Sequence, residues 1–174
     1  MVTGAAAAVA PQLQPQVEQV IGNTPLVPTR LIEPDDSVRI IPRQDVQVDP
    51  ASEDRMLLLL NGERVSRGLR PLVMDEQLRA VARAHSAEMF RLGYFAHNSP
   101  VTGSPADRLQ HSGLSFTLGG ENLAYAPTVE VAHQGLMASP AHRANILEPG
   151  YTRVGVGVQD AGLFGRMFTQ EFAG

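Results

Sequence analysis

Three short strings hold the residue types that do chemistry: Phe95-Ala96-His97-Asn98-Ser99-Pro100, Gly120-Glu121-Asn122-Leu123-Ala124-Tyr125-Ala126 and Ser139-Pro140-Ala141-His142-Arg143-Ala144-Asn145-Ile146-Leu147. Each sets a His or a Glu beside Gly, Pro, Asn or Ser, the residues that build turns and helix starts, so polar groups at the ends of elements can converge on a cleft. Two imidazoles and a carboxylate make a plausible first-row metal set with open positions. The same groups could activate water, directly or through a divalent ion. His142 falls two residues after Pro140, in the first turn of a helix, where the macrodipole disfavours the imidazolium. The neutral ring is the form that a metal ion or a general base requires. Ser99 and Ser139 are candidate nucleophiles. None of the spacings is diagnostic by itself: there is no His-Glu-x-x-His, no Gly-x-Ser-x-Gly and no Gly-rich phosphate loop.

The elements that must position these groups follow from periodicity and caps. Ser52 reads as the cap of a first helix that stops at Gly68. Leu78, Val81, Ala82, His85, Ser86, Met89 and Leu92 recur at helical spacing between Asp75 and Gly93. Ser104-Pro105 opens a short helix ending by Gly113, Thr128 caps a fourth, and Pro140 opens a last one through Leu147. Val154, Val156 and Val158 alternate with Gly155, Gly157 and Gln159 as a strand, and a turn at Asp160-Ala161-Gly162 leads into a second strand over Leu163 to Phe172. Phe116 to Asn122 is a third strand. Helices first and a hairpin last predict an α+β domain with an antiparallel sheet. On this frame His85 lies on an apolar stripe and reads as a hydrogen-bonded core histidine, while His111 sits at a helix end and reads as surface. His133 falls on the apolar side of its helix and either packs or points into the cavity. Glu121 is either a solvated strand carboxylate or a cavity group beside a close backbone approach at Gly120.

Together with Leu60-Asn61-x-x-Arg64, Gly68-Leu69-x-x-Leu72, Val154-Gly155-Val156-Gly157 and Phe168-Thr169-Gln170-Glu171-Phe172, the three strings resemble the CAP family, in its cysteine-free bacterial branch. This is the SCP-like group of cysteine-rich secretory proteins, antigen 5 and pathogenesis-related 1. The resemblance spans roughly residues 52 to 173. It implies a three-layer α-β-α sandwich with a small antiparallel sheet, and a central cavity holding His97, Glu121 and His142. Many relatives add a second Glu on the helix before the second His. Here that stretch is Leu136-Met137-Ala138-Ser139, with no carboxylate, which lowers the expected metal affinity and leaves His133 or Ser139 as substitutes. The implied ligand cleft is therefore His97, Glu121, His142, Ser139 and His133, and the implied metal set is His97, His142 and Glu121, for an ion such as zinc.

Seven of the thirteen prolines, at 11, 15, 25, 28, 34, 42 and 50, crowd the first 50 residues, so residues 1–50 read as an extended arm or linker and 51–174 as the domain. The arm either tethers the domain or packs on it or on a neighbouring subunit, and Val38 to Ile41 could add a strand. The apolar run Gly4 to Ala10 is short for a signal peptide and lacks a basic start. With no Cys, neither disulfides nor thiolate metal sites are available, and a core of about 120 residues must fold without them. Fourteen basic against eighteen acidic residues argue against a nucleic-acid surface, and there is no apolar run of about 18 residues to span a membrane. The resemblance implies a secreted or cell-envelope protein. It is expected to be a binding module for a divalent metal or a lipid, glycan, peptide or other small cell-surface ligand. Sterols are among the lipids described for relatives. The alternative is a metal-assisted hydrolase of peptide or cell-wall substrate using His97, His142 and Glu121.

Overall fold

The computed structural model describes residues 29–32 and 36–174. Residues 1–28, with four of the arm's prolines and the apolar run at Gly4, and residues 33–35, with Pro34, lie outside the described residues. Five helices and eight strands follow in chain order: β1 (Arg30–Leu31), β2 (Ser37–Arg39), β3 (Gln47–Val48), α1 (Pro50–Val65), β4 (Val73–Met74), α2 (Glu76–Leu92), β5 (Tyr94–Ala96), α3 (Pro105–His111), β6 (Gly119–Ala126), α4 (Val129–Ala138), α5 (Pro140–Leu147), β7 (Arg153–Asp160) and β8 (Arg166–Ala173). The main sheet runs β1-β6-β8-β7-β3, antiparallel throughout, with β4 added parallel to β7, and β2 pairs with β5 in a separate ribbon.

Most helix ends fall where the caps predict. Asp75 caps α2 through Gln77 and Leu78, Gly93 ends it at φ 75°, and Ser104 with Asp107 forms a reciprocal capping box on α3. The first helix differs. Asp49, not Ser52, is its cap: the Asp49 carboxylate accepts from the Ser52 amide and hydroxyl, and Pro50 takes the first helical position, where no N–H is needed. The third strand also differs. It begins at Gly119 and runs on through Ala126, because all eight residues pair with β8.

The sheet is covered on both faces, giving the α-β-α sandwich. Side chains alternate along each strand. Val154, Val156, Val158, Ala124, Ala126, Phe168 and Phe172 face α1, α4 and α5, where they pack with Met56, Leu60, Ala132, Leu136 and Ile146. On the other face Gly155 and Gly157 leave room for α2, since a Cβ at either would fall inside the backbone of Leu78 or of Ala82 and Arg83. Leu123 and Met167 pack there with Met89, Phe90 and Phe95. Arg64, fully buried, donates to the carbonyls of Arg70, Ile146 and Glu148 at 2.9 Å each, and so ties α1 to the end of α5. Asn61 clasps the Leu72 backbone in both directions. The described part of the arm lies on this body: β1 on the edge of β6, β2 on β5 and β3 on β7.

Candidate ligand cleft

Period-two alternation in β6 decides which layer each neighbour serves. Glu121 points toward the α2–α3 side, while Asn122 points toward α5. Beyond the end of α2, β5 carries Phe95 and Ala96 into the core and delivers His97 to the same side as Glu121. His97 Nδ1 donates to Glu121 Oε1 at 2.7 Å. Asn122 Nδ2 donates to the His142 carbonyl at 3.0 Å and to Gln170 Oε1 at 3.0 Å. Asn145 in turn donates to Asn122 Oδ1 and to the Glu121 carbonyl. The Gly-Glu-Asn string thus holds one histidine from each layer. Its glycine has a reason too: a Cβ on Gly120 would occupy the Tyr151 hydroxyl.

The two imidazoles converge. His97 Nε2 lies 3.2 Å and His142 Nε2 lies 3.0 Å from one oxygen, the backbone carbonyl of Ile32. Both nitrogens donate to it. At His142 the second ring nitrogen, Nδ1, lies 2.7 Å from Ser139 Oγ.

Behind His97 stands a buried charge network that sequence reading did not find. Arg108 of α3 donates to Glu121 Oε2, to the His97 carbonyl at 3.0 Å and to the Gly103 carbonyl at 3.0 Å. Glu171 of β8 lies directly across the strand pair from Glu121, with Arg108 Nε 3.7 Å from Oε1. Burial alone would push Glu121 up, but the hydrogen bond from His97 and the neighbouring His85 and Arg108 outweigh it and hold the carboxyl down at about 2. Burial and the Glu121 charge push Glu171 well above the usual carboxylate range, so one of the two opposed acids keeps its proton. An Arg on a short helix is ordinary in sequence, and Glu171 sits in a string that reads only as strand; neither carries a local signal.

Among the predicted site residues, His97, Glu121, His142 and Ser139 meet, while His133 does not join them. His133 takes the seam between α4 and α1, with Nε2 3.8 Å from Glu63, and burial lowers its pKa. Glu121 does not complete a three-ligand set, because both its oxygens are spent on His97 and Arg108. Among the described residues no group of three or more His, Asp or Glu is arranged around a cation position. His85 is buried and donates Nε2 to the Ala96 carbonyl, and burial lowers it to about 4. His111 is exposed. Beside the cleft a pocket of about 480 Å³ is lined by His97, Ser104, Leu109, Phe116, Gly119 and Glu121 among others.

Residues 57–172 match the model of the cysteine-rich secretory protein family, CAP. The chain belongs to the CAP family. The Bacillus subtilis protein YkwD is 42% identical over 125 residues, which are 71% of this chain and 48% of YkwD. The B. subtilis membrane protein YlbC is 36% identical over 127 residues, 72% of this chain and 35% of that protein. The chain therefore spans about half or less of the length of these relatives. Among solved structures, an extracellular protein of Bacillus anthracis containing an SCP domain is 36% identical, with a TM-score of 0.66 over 72% of this chain and 41% of that one. An outer surface protein of Borrelia burgdorferi, 17% identical, shares the fold with a TM-score of 0.65 over 73% of this chain and 96% of that one. No helix among the described residues is long and apolar enough to cross a membrane.

Proposed function

We propose that this CAP domain is an extracytoplasmic binding module whose ligand is met at the edge of β6 by Nε2 of His97 and Nε2 of His142. The observation that carries the reading is their convergence on one oxygen, at 3.2 and 3.0 Å. A buried polar group holds its place only when its bonds are satisfied, and here both rings have their second nitrogen fixed, by Glu121 and by Ser139. That is how imidazoles are oriented for a ligand. The extracellular setting of the B. anthracis relative supports the location.

The donor set suits a divalent ion such as zinc held by two nitrogens, with Glu121 and Ser139 as orienting partners and not as ligands. Such an ion would supply a Lewis acid at the cleft floor. With two protein ligands, affinity falls far below that of a four-ligand structural site. It also weakens as pH is lowered, since protons compete for the same nitrogens. Calorimetric titration of the chain with zinc chloride should give a weak heat that disappears in His97→Ala with His142→Ala. Equal heats from both proteins would remove the cleft as the site. The alternative is the metal-assisted hydrolase, in which His97 and His142, with Glu121 behind His97, would hold an ion that supplies Lewis acidity to a bound carbonyl. Turnover of peptide or cell-wall substrate, lost in His97→Ala, would establish it in place of the module.

A further inference from the structure

The oxygen held between the two histidines is backbone, and the way it arrives identifies a ligand class. β1 lies antiparallel on β6, with Arg30 opposite Tyr125 and Leu31 opposite Ala124. The next residue, Ile32, presents its carbonyl to His97 and His142. Without β1, β6 is the last strand of the described sheet. A free strand edge offers unpaired N–H and C=O groups to any extended chain, and strand addition is a general mode of peptide capture. The bed is shaped for a strand. Gly135 of α4 forms its side wall: a Cβ there would sit in ordinary contact with Thr29 at 3.5 Å and Leu31 at 3.6 Å, so only a longer side chain would intrude. The Ile32 side chain is 2% exposed, in a hollow formed with Phe95, Leu123 and Met167.

We propose that the cleft binds an extended polypeptide as an added strand on β6, with one backbone carbonyl held between His97 and His142. Residues 29–32 are an internal occupant that such a peptide displaces. The proposal rests on the reading of the His97–His142 cleft as the ligand site, and names what enters it. Main-chain pairing to β6 supplies affinity without regard to sequence. The paired imidazoles set the register, and the hollow under Ile32 selects an aliphatic side chain at that position. A strand continuing past this position runs toward Gly119 and the 480 Å³ pocket, where Leu109 and Phe116 offer an apolar wall. Because the arm is tethered, it competes at high effective concentration, and a free peptide binds weakly until the arm leaves.

The test uses the full chain in EDTA, with a fluorescein-labelled peptide of the sequence Thr-Arg-Leu-Ile ending in an N-methylamide, read by anisotropy. Two variants release the arm. Ile32→Asp places a carboxylate in the apolar hollow. Gly135→Leu fills the α4 side of the bed from a half-exposed helical position, changes no core residue and favours the helix. Each should bind the peptide about tenfold more tightly than the wild type, since occupancy by the arm scales the apparent affinity. Adding His97→Ala should abolish the gain, and Thr-Arg-Leu-Asp should not bind. No anisotropy change with released variants that still unfold cooperatively overturns the proposal, as does binding that survives His97→Ala. If those same proteins show His97-dependent zinc uptake once EDTA is removed, the module reading stands and only the polypeptide class falls.

Discussion

His97 and His142 reach the same carbonyl from opposite layers of the sandwich, and they are held there by different chemistry. His97 stands on ions: Glu121 accepts its Nδ1–H, Arg108 neutralises Glu121, and Glu171 shares the same buried space. His142 stands on neutral dipoles: Ser139 on the ring and Asn122 on its carbonyl. A buried ionic support is stiff and well oriented, but removing one member leaves an uncompensated charge in a poor dielectric. A neutral support loses only one hydrogen bond at a time. The two halves of one cleft should therefore fail very differently.

The largest effect is expected at Arg108, which is 6% exposed and bonded to three groups. Arg108→Leu strands Glu121 as a buried anion beside Glu171 and frees the loop carbonyls of His97 and Gly103. Loss of one partner from a buried pair costs about 3–5 kcal/mol. Denaturant unfolding should show it as a lower midpoint with an unchanged slope. A change below about 1 kcal/mol, the scale of an exposed pair, would show that water reaches the network and that the ionic half is no stiffer than the other.

The neutral half was the easier one to read in sequence. His142 sits after Ser139-Pro140, a helix start whose cap and first turn are local features, and the Asn in Gly-Glu-Asn is the sort of residue that anchors backbone. Asp75, Ser104, Thr128 and Gly93 end their helices as their side chains or backbone freedom require. Ser52 masks Asp49 in the sequence because Ser, Glu and Asp together look like a cap and first turn, whereas Pro50 fixes the start one residue after Asp49. The ionic half was largely silent. Arg108 and Glu171 are brought to Glu121 by strand register and helix docking over 13 and 50 residues, and nothing near either residue in the chain announces that. The Ile32 carbonyl is silent in a stronger sense, since a backbone oxygen has no residue type. His133 misled for the opposite reason: an apolar helix face fits packing against α1 as well as a cavity.

A middle-sized effect separates the two acids. Glu171 keeps its proton in the folded chain because burial and the Glu121 charge raise it. An unfolded Glu releases that proton near 4.5. Between there and its raised folded value the native state binds more protons than the unfolded one, so the contribution of Glu171 to stability declines as pH rises, by up to about 1.4 kcal/mol per unit. Glu121, held at about 2, adds a constant in this range, its stabilisation being lost only as pH falls below 4.5 toward 2. His85, near 4, contributes the opposite slope below its ordinary 6.5, equally to wild type and variant. Glu171→Gln keeps the shape of the neutral acid and has no proton to lose. The stability difference, variant minus wild type, should therefore grow from pH 5 to pH 7. Parallel melting-temperature profiles for the two proteins across that range would mean that the acids do not share one proton.

The smallest effect belongs to the neutral half, and it sharpens the comparison most. Ser139→Ala removes the bond to His142 Nδ1 while Asn122 still holds the main chain. The loss of one partly buried hydrogen bond costs about 0.5–1.5 kcal/mol, a shift of a few degrees. The ring keeps its Nε2 contact with the Ile32 carbonyl but loses the bond that steadies its Nδ1 side. Zinc uptake, which needs the bare Nε2, should weaken by about tenfold, the lower end of what loss of an orienting partner costs. Stability and affinity are thereby uncoupled at His142, whereas at His97 the same network supplies both. If Ser139→Ala costs as much stability as Arg108→Leu, the two supports are equivalent. If it leaves zinc uptake unchanged, α5 alone orients the imidazole and the hydroxyl is a bystander.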